Sequence, residues 1–457
     1  MITDQLHAHL KQDSSPLIVA VSGGMDSVVL LHLLVQARAD DRLSIHVATF
    51  DHGIRPEAGE DVDFVKSLCA RWDVPCTAGK VDAPLSGNLE ASARQARYQF
   101  LARVAHEVGA GWVVTAHHAD DQAETILLHI LRGSGLRGLG GMQVVAPLPD
   151  DERLQIFRPM LHLSRQQIEA YCQRHQLSYR HDRTNDDVRY RRNYIRHALL
   201  PMLATINPDA VGALNRLGEI ASQDYDFLLD VTQSAYQEAL LASDQRFIAL
   251  DRAGFDRLHR AIQHQLLLKM AWDLYQLSPT HERMNQAHDL IHSSAVGMFI
   301  EFVGAHRLYL DYHAVIIGDY RAYFRQTLPY IRLEQEQVID IDLSSPEAIY
   351  HGAGWRLQFS HQPPVAYQAR LNVKGVKRGV LRTRREGDRF APMGMGGRGK
   401  KLKAWMIDRK IPQAIRDEIG LIELDGVIVA VLYGTEWALG HQPATDDAGE
   451  LIYIKLL

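Results

Sequence analysis

Five apolar residues, Leu17-Ile18-Val19-Ala20-Val21, run directly into Ser22-Gly23-Gly24-Met25-Asp26-Ser27, and a helical stretch over 28–37 follows at once. A short apolar run without alternation is the pattern of a strand buried on both faces. Two glycines at its end let backbone N–H groups turn inward around an anion. The helix adds unpaired amides and the positive end of its dipole, while Ser22 and Ser27 add hydroxyl donors. Such a turn holds a phosphate or pyrophosphate group. The plainer alternative is a tight turn in which Asp26 and Ser27 cap the helix. The lysine of the G-x-x-x-x-G-K-[ST] loop is missing, so this is a phosphate loop of another kind.

The alternation continues downstream. Residues 43–50, 76–81 and 112–115 read as strands, and 61–72, 88–108 and 120–131 as helices. Strand–helix alternation with short connections predicts an α/β unit, a parallel sheet with helices on both faces. It is expected over residues 1–205. Helical periodicity then dominates 209–241, 256–277 and 280–293, with Thr280 as a capping residue. Alternating residues between Gly297 and Gly318 suggest strands. A mainly helical middle domain over 206–325 is expected. A small α+β C-terminal domain over 326–457, with its core at about 374–440, carries a Gly-rich loop (394–399), a helix (402–408) and a strand (427–433). A chain of 457 residues is long enough for two or three such domains.

Net charge is −5, which by itself disfavours a polyanion partner. The distribution says otherwise. Between Lys374 and Arg416 there are 14 lysines and arginines against Glu386, Asp388 and Asp408, a local balance of +11 in an otherwise acidic chain. A module of this kind grips nucleic-acid phosphates through charge rather than reading bases; the alternative is a solvated basic surface. Cys69, Cys76 and Cys172 form no C-x-x-C pair, so neither a zinc ribbon nor an iron–sulfur site is suggested, and reduced thiols are expected. No apolar run approaches the length that spans a bilayer, so no membrane association is expected. The first ten residues lack the pattern of a signal peptide, which makes the cytoplasm the expected compartment.

Further segments narrow the chemistry. Asp51-His52-Gly53-Ile54-Arg55 ends the second strand, where ligands meet open α/β sheets. Arg94 and Arg97 share one face of a helix in Ala93-Arg94-Gln95-Ala96-Arg97-Tyr98. Thr115-Ala116-His117-His118-Ala119-Asp120-Asp121-Gln122-Ala123-Glu124-Thr125 passes from strand to helix, and Arg132-Gly133-Ser134-Gly135-Leu136-Arg137-Gly138-Leu139 follows. The Ser22–Ser27 loop resembles that of the N-type ATP pyrophosphatases, the PP-loop superfamily. The whole set resembles bacterial tRNA(Ile)-lysidine synthetase, together with Arg158-Pro159-Met160, Arg192-Asn193-Tyr194-Ile195-Arg196, Gly387-Asp388-Arg389-Phe390 and Lys400-Lys401-Leu402-Lys403. Residues 17–200 and about 380–435 carry the likeness. His181 departs from it, standing where the family usually has an acid, and no role is transferred to it.

The resemblance implies an adenine nucleotide alpha hydrolase-like fold for the N-terminal sheet. It implies a ligase that uses ATP and Mg²⁺ to adenylate O2 of the wobble cytidine in tRNA(Ile) with a CAU anticodon. Free L-lysine then displaces AMP. Ser22, Gly23, Gly24, Met25, Asp26, Ser27 and His52 would bind ATP, with Asp26 also a candidate Mg²⁺ ligand. Lysine's ammonium must lose a proton, for which Asp121 and Glu124, three apart on one helix, are the candidate carboxylates; acids in a first helical turn also simply complement the dipole. One of His117 and His118, with His117 the candidate for catalysis, would contact phosphate or base, or serve as a hydrogen-bonded structural histidine. Arg97 would bind a phosphate of ATP or tRNA, or form a surface ion pair. Arg192 and Arg196 would clamp a tRNA phosphate or form a solvated basic face, and Arg389, Lys400, Lys401 and Lys403 would hold tRNA through the basic module. A homodimer is left open. The rival readings are a thiolating PP-loop enzyme acting on tRNA and a non-catalytic tRNA-binding protein.

Overall fold

The computed structural model describes residues 15–41, 43–51, 53, 58–81, 89–181, 189, 191–293, 295–394, 396–442 and 450–457. The chain divides into two compact units, residues 1–227 and 228–457. His52, Ile54 and Arg55 of the second expected motif lie outside the described residues, as do 182–185.

The first unit is built on β1 (Leu17–Ala20), α1 (Met25–Asp41), β2 (Ile45–Asp51), α2 (Ala58–Arg71), β3 (Cys76–Lys80), α3 (Leu89–Val108), β4 (Trp112–Val114), α4 (Ala119–Leu131), the short α5 (Leu136–Leu139), β5 (Val145–Leu148), β6 (Asp151–Phe157) and α6 (Arg165–Arg174). Its six strands lie in the order β3-β2-β1-β4-β6-β5. The first five run parallel, with β1 between β2 and β4. The edge strand β5 is antiparallel to β6. Ile18, Val19, Val47, Val113 and Val114 are wholly buried, as strands covered by helices on both faces require. Two cores result. Val19, Leu31, Leu34, Val65 and Phe157 belong to one, and Ile18, Tyr98, Leu101, Val104 and Val113 to the other.

Beyond the sheet, α7 (Arg191–Tyr194) continues through a π-turn, Ile195–Leu199, into α8 (Leu200–Ile206). The amide of Leu200 donates to the carbonyl of Ile195, five residues back. The 30-residue helix α9 (Ala210–Ala239) follows. A small core of Ala123, Leu127, Ile195 and Leu200 packs the π-turn against α4. This packing brings two arginines to the site.

The second unit opens with helices around a five-stranded antiparallel sheet. β7 (Leu240–Ser243), β8 (Phe247–Asp251), α10 (Arg252–Arg257), α11 (Arg260–Tyr275), α12 (His281–His292), β9 (Phe299–Val303), β10 (His306–Leu310), β11 (Ala314–Gly318) and α13 (Tyr320–Thr327) follow in turn, with strand order β7-β8-β11-β10-β9. The Thr280 side chain caps α12 by accepting from the amide of Arg283. The helical periodicity of the middle region is therefore real, but β7 and β8 accompany the strands expected after Gly297. The remainder holds a five-stranded and a four-stranded sheet. A two-stranded ribbon, Arg389–Phe390 with Lys400–Lys401, feeds a helix at Leu402–Asp408. Phe390 and Trp405 are core residues, packed edge to face with centroids 5.0 Å apart. No helix among the described residues is long and apolar enough to cross a membrane.

Candidate active site

The site forms where β1 and β4 end. Gly23 adopts φ +87°, the left-handed conformation that glycine takes without penalty. Ser27 locks the turn from inside. Its hydroxyl donates to the Gly24 carbonyl at 2.8 Å and accepts from the Ser22 amide at 3.2 Å. The Gly24 amide points to Ser22 Oγ at 3.4 Å. The loop is anchored from outside by the amide of Arg180, which donates to the Gly23 carbonyl, while the Arg180 guanidinium pairs with Glu60 and Asp61. The exposed Ser22 and the first-turn amides of α1 are left to meet an anion.

Asp26, in that first turn, points across to β4. Its Oδ2 lies 3.7 Å from Nε2 of His118, and its buried Oδ1 has no hydrogen-bond partner. His118 is the hub of the site, 1 % exposed among three carboxylates. Nε2 also lies 3.4 Å from Asp121, and Nδ1 lies 3.6 Å from Asp120. Burial alone would lower the imidazolium pKa, but Asp120, Asp26 and Asp121 outweigh it and raise the ring to about 10. In its neutral form the ring caps α4, Nδ1 accepting from the Asp120 amide. Once protonated, both its N–H groups face carboxylates. The Asp121 side chain returns the cap by accepting from the His118 amide at 3.1 Å.

Asp121 and Glu124 do share a face of α4, and both are paired. Arg196 Nε donates to Glu124 Oε1 at 2.6 Å and Arg196 Nη2 to Asp121 Oδ1 at 2.9 Å. Arg192 Nε donates to Glu124 Oε2 at 2.8 Å. Glu124 is wholly buried, whereas each arginine keeps about a quarter of its side chain exposed. Burial alone would raise the Asp121 carboxyl, but His118, Arg192 and Arg196 hold it below the usual carboxylate range. Arg192 and Arg196 thus meet carboxylates within the fold, so any phosphate must approach their exposed edges.

His117 is placed differently from its neighbour. Its Nδ1 is 2.8 Å from Thr115 Oγ1, and burial pushes its pKa down to about 3, with Arg158, Arg97 and Arg192 adding to the effect against Asp121. It is a neutral ring at physiological pH. Arg97, on α3, stands over the Tyr98 ring at 5.4 Å, and its Nε is buried without a partner. The sequence offers both histidines of the pair and favours His117; the structure puts His118, with Asp120 beside it, in the charge line to Asp26. The capping pattern at 118–121 was the available signal.

In the second unit Arg389 donates to the Gly399 carbonyl at 2.7 Å, and Lys400 pairs with Asp408. Lys401 and Lys403 are exposed. Arg382 is buried and held by Asp388 and Glu423, so part of the basic excess is structural. Cys69 and Cys172 are buried and Cys76 partly so, all as thiols.

A family model described as a PP-loop domain matches residues 2–203, and one described as the TilS substrate C-terminal domain matches 380–452. The chain is similar to the tRNA(Ile)-lysidine synthase of Dehalococcoides mccartyi, 30% identical, with 92% of each chain covered. It is 31% identical to that of Geobacillus kaustophilus, over 99% of this chain and 97% of the relative. With that of Symbiobacterium thermophilum it shares 33% identity over 91% and 88%.

Proposed function

The chain belongs to the tRNA(Ile)-lysidine synthase family, a family of carbon–nitrogen ligases built on an ATP-using PP-loop domain, and from that premise we propose how its residues divide the reaction. The substrates are ATP, free L-lysine and tRNA(Ile) with a CAU anticodon. Oxygen O2 of the wobble cytidine attacks the α-phosphorus of ATP; the new O–P bond forms as the bond to the β-phosphate oxygen breaks, and pyrophosphate leaves. The ε-amine of lysine then attacks C2, the C2–O2 bond breaks, and AMP departs with that oxygen. The product, lysidine, pairs with A, so the tRNA reads AUA instead of AUG.

The observation that carries this reading is the charge line from the Ser22–Ser27 loop through Asp26 and His118 to Asp121 within one folded unit. The loop and the first turn of α1 hold the leaving pyrophosphate. A buried carboxylate oxygen on Asp26 without a partner fits a Mg²⁺ site, since this ion is held by one or two carboxylates plus substrate phosphates. Bound there, Mg²⁺ would neutralise charge on the triphosphate. His118, cationic in its carboxylate cage, holds Asp26 and Asp121 in line and keeps Asp121 ionised. His117, neutral, offers a hydrogen bond to the base. Asp121 and Glu124 attract the lysine ammonium in competition with Arg192 and Arg196 and orient its amine; a carboxylate here accepts the proton it sheds. Arg192 and Arg196 present their exposed edges to phosphate. Arg389, Lys400, Lys401 and Lys403 supply affinity for the tRNA backbone, with residues 326–457 as the tRNA-binding domain, 206–325 as a tRNA-recognition domain and 1–205 as the catalytic domain.

One experiment tests the reading. Purified protein with ATP, Mg²⁺ and lysine converts a cytidine of the CAU-anticodon tRNA(Ile) into a lysyl adduct seen by nucleoside mass spectrometry. Asp26→Asn forms none while still binding the tRNA. Failure of the wild-type protein to form the adduct on unmodified tRNA rejects the assignment.

A further inference from the structure

Two strand positions away from the phosphate loop the first unit holds positive charge that no carboxylate among the described residues pairs with. Arg158 stands just past the end of β6 and is 6 % exposed. One terminal nitrogen, Nη1, donates to the carbonyl of Gln143 at 2.7 Å; Nε is buried with no partner. Arg97 approaches from α3, its Nε also buried and unpartnered. Both guanidinium groups stand against the buried hydroxyl of Tyr98. Both also bear on His117 at the end of β4. Among the described residues no carboxylate pairs with either arginine. Contrast Arg192 and Arg196, which meet two acids, and Arg382, which also meets two. A buried charge left without a counter-charge is expensive unless a ligand supplies one. Burial already lowers the pKa of both guanidinium groups.

The geometry identifies the counter-charge. Strand order places β6 next to β4, and β4 next to β1, which carries the loop. Two strand spacings put Arg158 roughly 10 Å from the loop. That is past the pyrophosphate the loop itself cradles, on the side of His117. We propose that Arg158, with Arg97 and the Tyr98 hydroxyl, forms a second oxyanion site for a phosphate group other than that pyrophosphate: the phosphate being transferred from the nucleotide, or a backbone phosphate beside the modified base. The inference rests on the nucleotide and tRNA reading above and adds Arg158 to it as a substrate-binding residue. Planar guanidinium groups suit a tetrahedral oxyanion because they donate two parallel hydrogen bonds.

The test compares wild type, Arg158→Met and Arg158→Lys in two binding measurements. Calorimetry with Mg²⁺ and a methylene-bridged ATP analogue, which cannot be cleaved between its α- and β-phosphates, reads the nucleotide. Filter binding of a CAU-anticodon tRNA transcript at several salt concentrations reads the backbone. Arg158→Met is expected to weaken one of them at least about tenfold, the loss of a charged hydrogen bond, with Arg158→Lys recovering part. A loss confined to the analogue assigns the transferred phosphate. A loss confined to tRNA, with the salt slope lowered by about one, assigns the backbone. Both affinities within twofold of wild type, in protein with unchanged circular dichroism, overturn the proposal. Should Arg158→Met fail to fold, Arg97→Met, at a partly exposed position, is judged by the same thresholds. Wild-type adduct formation is measured in parallel. If it succeeds while these affinities stay unchanged, only the second site falls; if it fails while analogue binding drops, the site stands without the lysidine assignment.

Discussion

Glu124 is the residue whose environment says most about its work. It is wholly buried and clasped by Arg192 and Arg196, so removing its charge leaves two arginines facing a neutral amide. Breaking a buried pair in this way costs about 3–5 kcal/mol. Glu124→Gln should therefore lower the urea midpoint markedly and also slow lysine attack, while ATP–pyrophosphate exchange with tRNA survives in the folded fraction. Normal turnover with lysine would remove Glu124 from the mechanism. His118 makes a prediction with a sign. Its folded-state pKa is raised to about 10 from an ordinary 6.5, so its stabilising effect is complete below about pH 6.5 and is lost as pH climbs toward 10. The difference in urea stability between wild type and His118→Gln should be wide at pH 6 and vanish by pH 10; a difference that stays constant across that range would show that the ring is neutral in the native protein. Neither role is written in the residue type. His117 and His118 are identical neighbours, and only the turn into α4 decides that one faces Thr115 and the other Asp26.

Among the elements, the loop between β1 and α1 is the most local and the most legible. Its conformation depends on Gly23 at φ +87°, where an added Cβ would meet Phe64 and Val65 at 3.4 Å. Space is therefore adequate, and the penalty is conformational, about 1–2 kcal/mol. Gly23→Ala should lower the melting temperature by a few degrees yet abolish calorimetric binding of the ATP analogue; undiminished binding would separate the loop from the nucleotide. The π-turn at Ile195–Leu199 is the opposite case. The spacing of Arg192 and Arg196 predicts a shared helix face, but their partners lie 68 to 75 residues back along the chain. The edge pair β5 and β6 also escaped the pattern of the sequence. β5 contains Pro147, and Asp151, Glu152 and Arg153 open β6, so neither carries the continuous apolar run that marks β1. The half-exposed edge strand β5 and its neighbour β6 need only one apolar face.

For the whole molecule the governing feature is segregated charge. The excess of +11 between Lys374 and Arg416 sits in a chain whose net charge is −5. Arg382 and Lys400 spend their charge on acids of the fold, whereas Lys401 and Lys403 stay exposed. Changing Lys401 and Lys403 together to Glu should weaken tRNA binding and flatten its dependence on salt by about 0.9 per lost phosphate contact; an unaltered slope would place the tRNA elsewhere. The sequence by itself determined the phosphate loop, the alternation of strands and helices that builds its sheet, and the location of the basic module. Each depends on residues close together in the chain, where glycine freedom, apolar runs and like charges act at short range. Only the tertiary structure decided which histidine joins Asp26, that Glu124 is held by two arginines, and that Arg158 is buried and, like Arg97, meets no acid among the described residues. Those outcomes depend on burial and on partners distant in sequence, and a charge acquires its chemistry from what surrounds it.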